Sequence, residues 1–127
     1  MSSLLKKTIK KKIILIDRFV DSTIAYQHYG MGVNIKLINT INDFLLKDIK
    51  IDFTFLNLVN QKNMRARLSN RKKLNRYDQF NTSFYKRVQD GFIKIVKMKP
   101  KNYMKIDSNL SIVDNKNKIL NKIDKLI

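Results

Sequence analysis

Residues 12–27 read Lys12-Ile13-Ile14-Leu15-Ile16-Asp17-Arg18-Phe19-Val20-Asp21-Ser22-Thr23-Ile24-Ala25-Tyr26-Gln27. Four apolar residues in succession followed by Asp17-Arg18 predict a strand over 12–16, buried on both faces and delivering charge at its carboxyl end. In open α/β sheets ligands bind at that end. Arg18 then reads either as a contact to a ligand phosphate, with Asp17 orienting it, or as half of a local ion pair. Asp21, Ser22 and Thr23 are good N-terminal caps for a short helix through Tyr26 and Gln27. Their hydroxyl, amide and phenol groups suit a nucleobase and sugar, or simply a capped surface helix with Tyr26 in the core. Gly30-Met31-Gly32 interrupts the helix.

Outward from this stretch the chain alternates. A short helix is expected over 3–10, and a longer one from Asn34 to Lys47, where Ile35, Ile38, Ile41 and Leu45 recur at helical spacing. Residues 51–57 read as a second strand, and Asn60 caps a helix to about Asn70. The polar segment 70–79 reads as a mobile loop. Phe84, Val88, Phe92 and Ile95 predict a strong helix over 81–97, closed by Pro100. A strand over 102–106 follows, and Asp107 and Ser108 open a last helix carrying Ile112, Ile119, Ile123 and Leu126 on one face. Strands alternating with helices predict an α/β fold with parallel strands. No internal repeat, linker or domain boundary is evident.

Composition narrows the chemistry. The 127 residues include no Cys and a single histidine, His28, so disulfides, thiolate metal sites and multi-histidine metal centres are excluded. No apolar run approaches the roughly 20 residues of a membrane helix, and the chain reads as cytoplasmic with no membrane partner. The net charge of +17 comes mainly from 21 Lys against 6 Arg, and Lys, Ile and Asn together supply 52 residues. All three have A/T-rich codons, so genome composition accounts for much of the charge; a basic nucleic-acid-binding module is the functional alternative. Arginine is more telling: Arg65, Arg67, Arg71 and Arg76 fall within twelve residues. A guanidinium forks onto phosphate in a way that lysine cannot copy.

The segment Ile16–Gln27 resembles the signature of bacterial thymidylate kinases: Asp-Arg-Tyr/Phe, two residues, Ser-Ser/Thr, one residue, Ala-Tyr-Gln. Tyr29-Gly30-Met31-Gly32 matches the Tyr-Gly-x-Gly that follows it. Asp52-Phe53-Thr54-Phe55-Leu56 resembles the family's Pro-Asp-Leu-Thr-Phe-Leu strand. Arg67, Arg71 and Asn75-Arg76-Tyr77-Asp78 resemble its lid, expected at about 68–79. Phe84, Arg87-Val88 and Gly91-Phe92 resemble Phe-x-x-Arg-Val-x-x-Gly-Tyr, and Ile106-Asp107 the late Ile-Asp strand end. Five motifs stand in the family's order. Nucleic-acid binding explains the charge and none of them.

The resemblance implies a kinase that moves the γ-phosphoryl of ATP to dTMP, with Mg²⁺. Arg18 would bind the dTMP phosphate beside Asp17 and Ser22. Thr23 would sit at the thymine edge, Tyr26 against the deoxyribose, and Gln27 in the same pocket. Arg67, Arg71 and Arg76 would be the catalytic arginines of the lid over ATP. No metal ligand is assigned to the chain itself. The family's P-loop, Gly-x-x-x-x-Gly-Lys-Ser/Thr, has no match among the three glycines Gly30, Gly32 and Gly91. Two of the family's acids and a proline also give way to Asn57-Leu58-Val59-Asn60-Gln61. The fold expected is therefore an incomplete three-layer fold of the P-loop NTPase type: about three parallel strands flanked by helices, the first two strands missing. Residues 1–127 would form one partial domain, a carboxyl-terminal portion. In the family the missing first strand runs between those matching 12–16 and 51–57. Alone, the chain is expected to be inactive, and unstable or aggregation-prone, or to pair with a chain supplying the P-loop half. A homodimer is the other partner implied.

Overall fold

The computed structural model describes residues 12–71, 73 and 81–127. The helix expected over 3–10 and most of the loop and lid at 70–79 lie outside them. The described elements run in the order α1 (Val20–Thr23), a π-helical turn (Ile24–Gly30), α2 (Ile35–Leu46), β1 (Thr54–Leu58), α3 (Gln61–Ser69), α4 (Thr82–Met98), a 3₁₀ turn (Pro100–Asn102), β2 (Tyr103–Asp107) and α5 (Ile112–Leu126).

Polar caps set most of the helix starts. The Asn34 side chain accepts from the Lys36 amide, Asn60 from Asn63 and Asn81 from Phe84. At α5 the Ser111 hydroxyl accepts from the Asp114 amide and donates to the Asp114 carboxylate at 2.6 Å. That helix therefore opens at Ser111 rather than at Asp107-Ser108. The Asp107 carboxylate is engaged in a tight turn, accepting from the Asn109 amide at 2.9 Å. The first helix also differs from expectation: Phe19 occupies the cap position with no side-chain bond, so Asp21, Ser22 and Thr23 lie within the helix.

β1 and β2 pair in parallel, Thr54 with Tyr103 through Leu58 with Asp107. Ser108 extends the ladder by donating its amide to the Leu58 carbonyl at 2.7 Å. The crossover between the strands carries α3 and α4, as parallel strands require. α4 is amphipathic and buries Phe84, Tyr85, Val88, Ile95 and Val96. With Ala25, which is fully buried, Phe84, Tyr85, Val88 and Ile95 form the main core cluster. Ile106 of β2 is 1% exposed. Of the four apolar residues expected on one face of α5, Ile119 and Ile123 are half-buried, and Ile112 and Leu126 are exposed.

The third expected strand is not formed. Residues 13–16 form no strand, and among the described residues the sheet has two strands. Ile13 is 65% and Leu15 80% exposed. A strand is made by its neighbour's hydrogen bonds as much as by its own apolar pattern, and no described strand lies beside this segment.

Close packing of α4 on the π turn fixes the geometry upstream of the site. Gly30 backs onto Phe84 and Val88, and Gly91 onto the Tyr29 ring. Arg87 donates from Nε and Nη2 to the Gly30 carbonyl, at 3.3 and 3.1 Å, pinning the end of the turn. Gly32, with φ of 79°, then reverses the chain in a conformation open to glycine.

Candidate functional site

A cleft of about 1260 Å³ runs between residues 12–19 and β1 and holds most of the residues singled out from sequence. Asp17, Arg18, Ser22 and Tyr26 line it from one side, and Arg67 and Arg71 from α3 and its end. Thr23 and Gln27 do not line it: Thr23 is exposed, while Gln27 is half-buried and accepts the Val33 amide on its carbonyl at 2.8 Å. Arg76 lies outside the described residues.

Arg18 has φ of 57°, the left-handed region that a residue with a Cβ enters at a cost. Its guanidinium stands over the Tyr26 ring, 5.5 Å from the centroid, with Nη1 3.5 Å from the phenol oxygen. The ring in turn meets Phe84 and Phe92 edge-on at 6.0 and 6.4 Å. The backbone strain thus places an exposed cation on an aromatic platform rooted in the core. Such unusual backbone conformations cluster where function over-determines them.

The π turn that carries Tyr26 is closed by His28, whose Nδ1–H donates to the Val33 carbonyl at 2.8 Å. Across the cleft Arg67 donates from Nη2 to the Ser108 carbonyl at 2.7 Å, tying α3 to the end of β2. Arg65 turns away, donating to the Thr82 hydroxyl at 3.2 Å.

Sequence reading missed two contributors. Tyr103, at the start of β2, donates its phenol to Asp21 at 2.8 Å and lines the cleft. Burial, then the hydrogen bond and the charge of Asp21, raise its pKa well above the ordinary value of 10.0. Gln89 of α4 lines the cleft too, donating to the Val59 carbonyl at 2.7 Å. No local pattern announces either one, since each meets a partner distant in sequence.

The Tyr103 proton has a measurable consequence. The folded chain holds it more tightly than the unfolded chain, so stability falls as pH rises past 10.0 and on through the raised folded value. In an alkaline titration followed by phenolate absorbance, the ionisation delayed by burial and by Asp21 will disappear in Tyr103→Phe. Asp21→Asn will bring it earlier. A Tyr103→Phe titration that keeps the late step would show that another tyrosine holds that proton.

Among the described residues no three His, Cys, Asp or Glu side chains come together to hold a metal. The donors among the described residues do not fit a protein-built Mg²⁺ site. No described helix is long and apolar enough to cross a membrane.

The family model that matches the chain is thymidylate kinase, over residues 1–119. The chain is 44% identical to the thymidylate kinase of Ehrlichia chaffeensis over 92 residues, 72% of this chain and 43% of that protein. It is 33% identical to that of Kosmotoga olearia over 103 residues, 81% of this chain and 50% of that protein. The structure superposes on the crystal structure of thymidylate kinase from Ehrlichia chaffeensis with a TM-score of 0.65 and 32% identity, covering 98% of this chain and 57% of that one. The chain thus spans about half the length of the curated relatives it matches.

Proposed function

The chain belongs to the thymidylate kinase family, and from that premise we propose that it is the monophosphate-binding part of a dTMP kinase. The observation that carries the reading is Arg18 over Tyr26, in one cleft with Ser22, Arg67 and Arg71. The Arg18 guanidinium offers a planar fork to the dTMP phosphate, and Asp17 and Ser22 flank it. Tyr26 offers the deoxyribose a flat wall whose bulk disfavours a 2′-hydroxyl. Thr23 and Gln27 take the thymine side by resemblance alone, on a part of the segment that does not line the cleft. Arg67, Arg71 and Arg76 bring positive charge toward a phosphoryl group passing from ATP to dTMP, where the transition state spreads its charge over oxygens. Mg²⁺, when present with ATP, screens the phosphate charge.

The 127 residues contain no Gly-x-x-x-x-Gly-Lys-Ser/Thr to cradle the ATP phosphates. The reading is therefore of a binding part that does not turn over by itself. Titration calorimetry of the 127-residue chain with dTMP and with thymidine tests it. We expect dTMP to bind at least about tenfold tighter than thymidine, the worth of one charge-assisted contact, and no ADP to form from ATP and dTMP. Equal binding of the two ligands would remove Arg18 from the phosphate. Turnover by the chain alone would overturn the assignment of a binding part.

A further inference from the structure

Arg18 stands between two acids, next to Asp17 and three positions before Asp21. A guanidinium with carboxylates so near would ordinarily fork onto one of them, which is the local ion pair that the sequence allowed. Its contacts lie elsewhere: among the described residues Arg18 takes the Tyr26 ring and phenol oxygen, and stays exposed. Asp17 is exposed, where an ion pair competes with water and is worth little. Asp21 is half-buried and lines the same cleft as Arg18, so its carboxylate is the stronger competitor for the guanidinium. That carboxylate is already engaged, accepting the Tyr103 phenol at 2.8 Å. The donor is firmly held. Tyr103 pairs with Thr54 in the parallel ladder, and its ring packs against the core cluster. Burial and then Asp21 raise its pKa, so it remains a donor throughout the neutral range.

We propose that Tyr103 is a positioning residue for the monophosphate: by occupying the Asp21 carboxylate it keeps the Arg18 guanidinium free to meet a phosphate. Without the phenol, Asp21 turns its charge on Arg18. The fork is then filled by a carboxylate, and an incoming phosphate faces a like charge. The effect is electrostatic, so it falls on the phosphate of a ligand and spares its base and sugar. A mechanical tether of α1 to β2 would instead act on the whole ligand, because α1 and the π turn carry Ser22 and Tyr26 together. The proposal rests on the reading of Arg18 as the phosphate contact and deepens it by naming what keeps that contact open.

The test compares the full 127-residue chain with Tyr103→Phe and with the double variant Tyr103→Phe/Asp21→Asn, by calorimetry with dTMP and with thymidine. The double variant also lacks the bond, so it recovers binding only where the freed charge, and not a lost tether, is the cause. Tyr103→Phe is expected to bind dTMP about tenfold more weakly, the worth of one charge-assisted contact, and thymidine within about twofold of the parent. The double variant is expected to return dTMP to within about threefold of the parent. NMR reads Arg18 with no nucleotide present, through the displacement of its side-chain signals by the ring current of Tyr26, assigned with Arg18→Lys. That displacement will be lost in Tyr103→Phe and return in the double variant. Unchanged dTMP binding in Tyr103→Phe, an equal loss for dTMP and thymidine, a loss that the double variant does not recover, or Arg18 signals that stay displaced in Tyr103→Phe would each overturn the proposal. Loss and return of the displacement, with dTMP no tighter than thymidine in the parent, would sink the functional reading and leave the hold of Tyr103 on Asp21 and Arg18 standing.

Discussion

Arg18→Gly will stabilise the backbone at residues 17–19 and at the same time weaken dTMP binding by about 10- to 100-fold, the range spanned by a lost charge-assisted hydrogen bond. The two effects separate because they have different origins. At φ of 57° the arginine Cβ crowds its own carbonyl, a strain of about 1–2 kcal/mol that glycine does not carry. The guanidinium over Tyr26 is what a phosphate would meet. Arg18→Lys keeps the charge and loses the fork, so it too will bind more weakly while keeping the strain. Local hydrogen exchange reads the first effect and calorimetry the second. Undiminished dTMP binding by Arg18→Gly would place the phosphate elsewhere.

The largest loss of stability is expected at Gly91. A Cβ there would lie 2.6 Å from Cγ and Cδ2 of Tyr29 and 2.7 Å from its Cβ. The root of a side chain cannot swing aside, so the π turn itself must move off α4. Overpacking of this kind costs about 1–3 kcal/mol, of which alanine returns about 1 kcal/mol through its helix propensity. The net loss, up to about 2 kcal/mol, corresponds to a rise in opening of up to about 30-fold, read as faster exchange of the Ile24–Gly30 amides in Gly91→Ala. Gly91→Leu will lose the contact altogether. Exchange in Gly91→Ala equal to that of the parent would show that Tyr29 gives way without cost. Gly30→Ala will be milder, because its nearest neighbours are ring-end atoms of Phe84 and a methyl of Val88.

These sites show how far the sequence could be read. The apolar period of 81–97 located α4 to within a residue at each end, and Asn60 was legible as a cap because a side-chain cap is a local device. The start of α5 was misplaced: Asp107 is a good cap by residue type, but its carboxylate is held in a turn by the Asn109 amide. The strand expected over 12–16 failed for a different reason. Its pattern states what the segment would bury and says nothing of whether a neighbour is present to pair with it. In the site, Arg18 and Tyr26 stand eight residues apart in one motif, and their mutual contact was not legible there. The Tyr103–Asp21 bond spans 82 positions, and only the folded chain brings it together.

The register of the sheet carries a consequence for synthesis. Thr54 pairs with Tyr103, roughly fifty residues later, so at about 5–20 residues per second β1 waits several seconds on the ribosome before its partner emerges. Throughout that interval Phe53, Phe55 and Leu56 sit in an apolar segment with both edges open, and chaperone dependence or loss to aggregates is decided then. A pairing of this sequence separation is also slow to close once the chain is complete, because loop entropy is spent before any ladder bond repays it. The yield of folded chain in a cell is thereby governed by the timing of β2 as much as by the strength of the finished core.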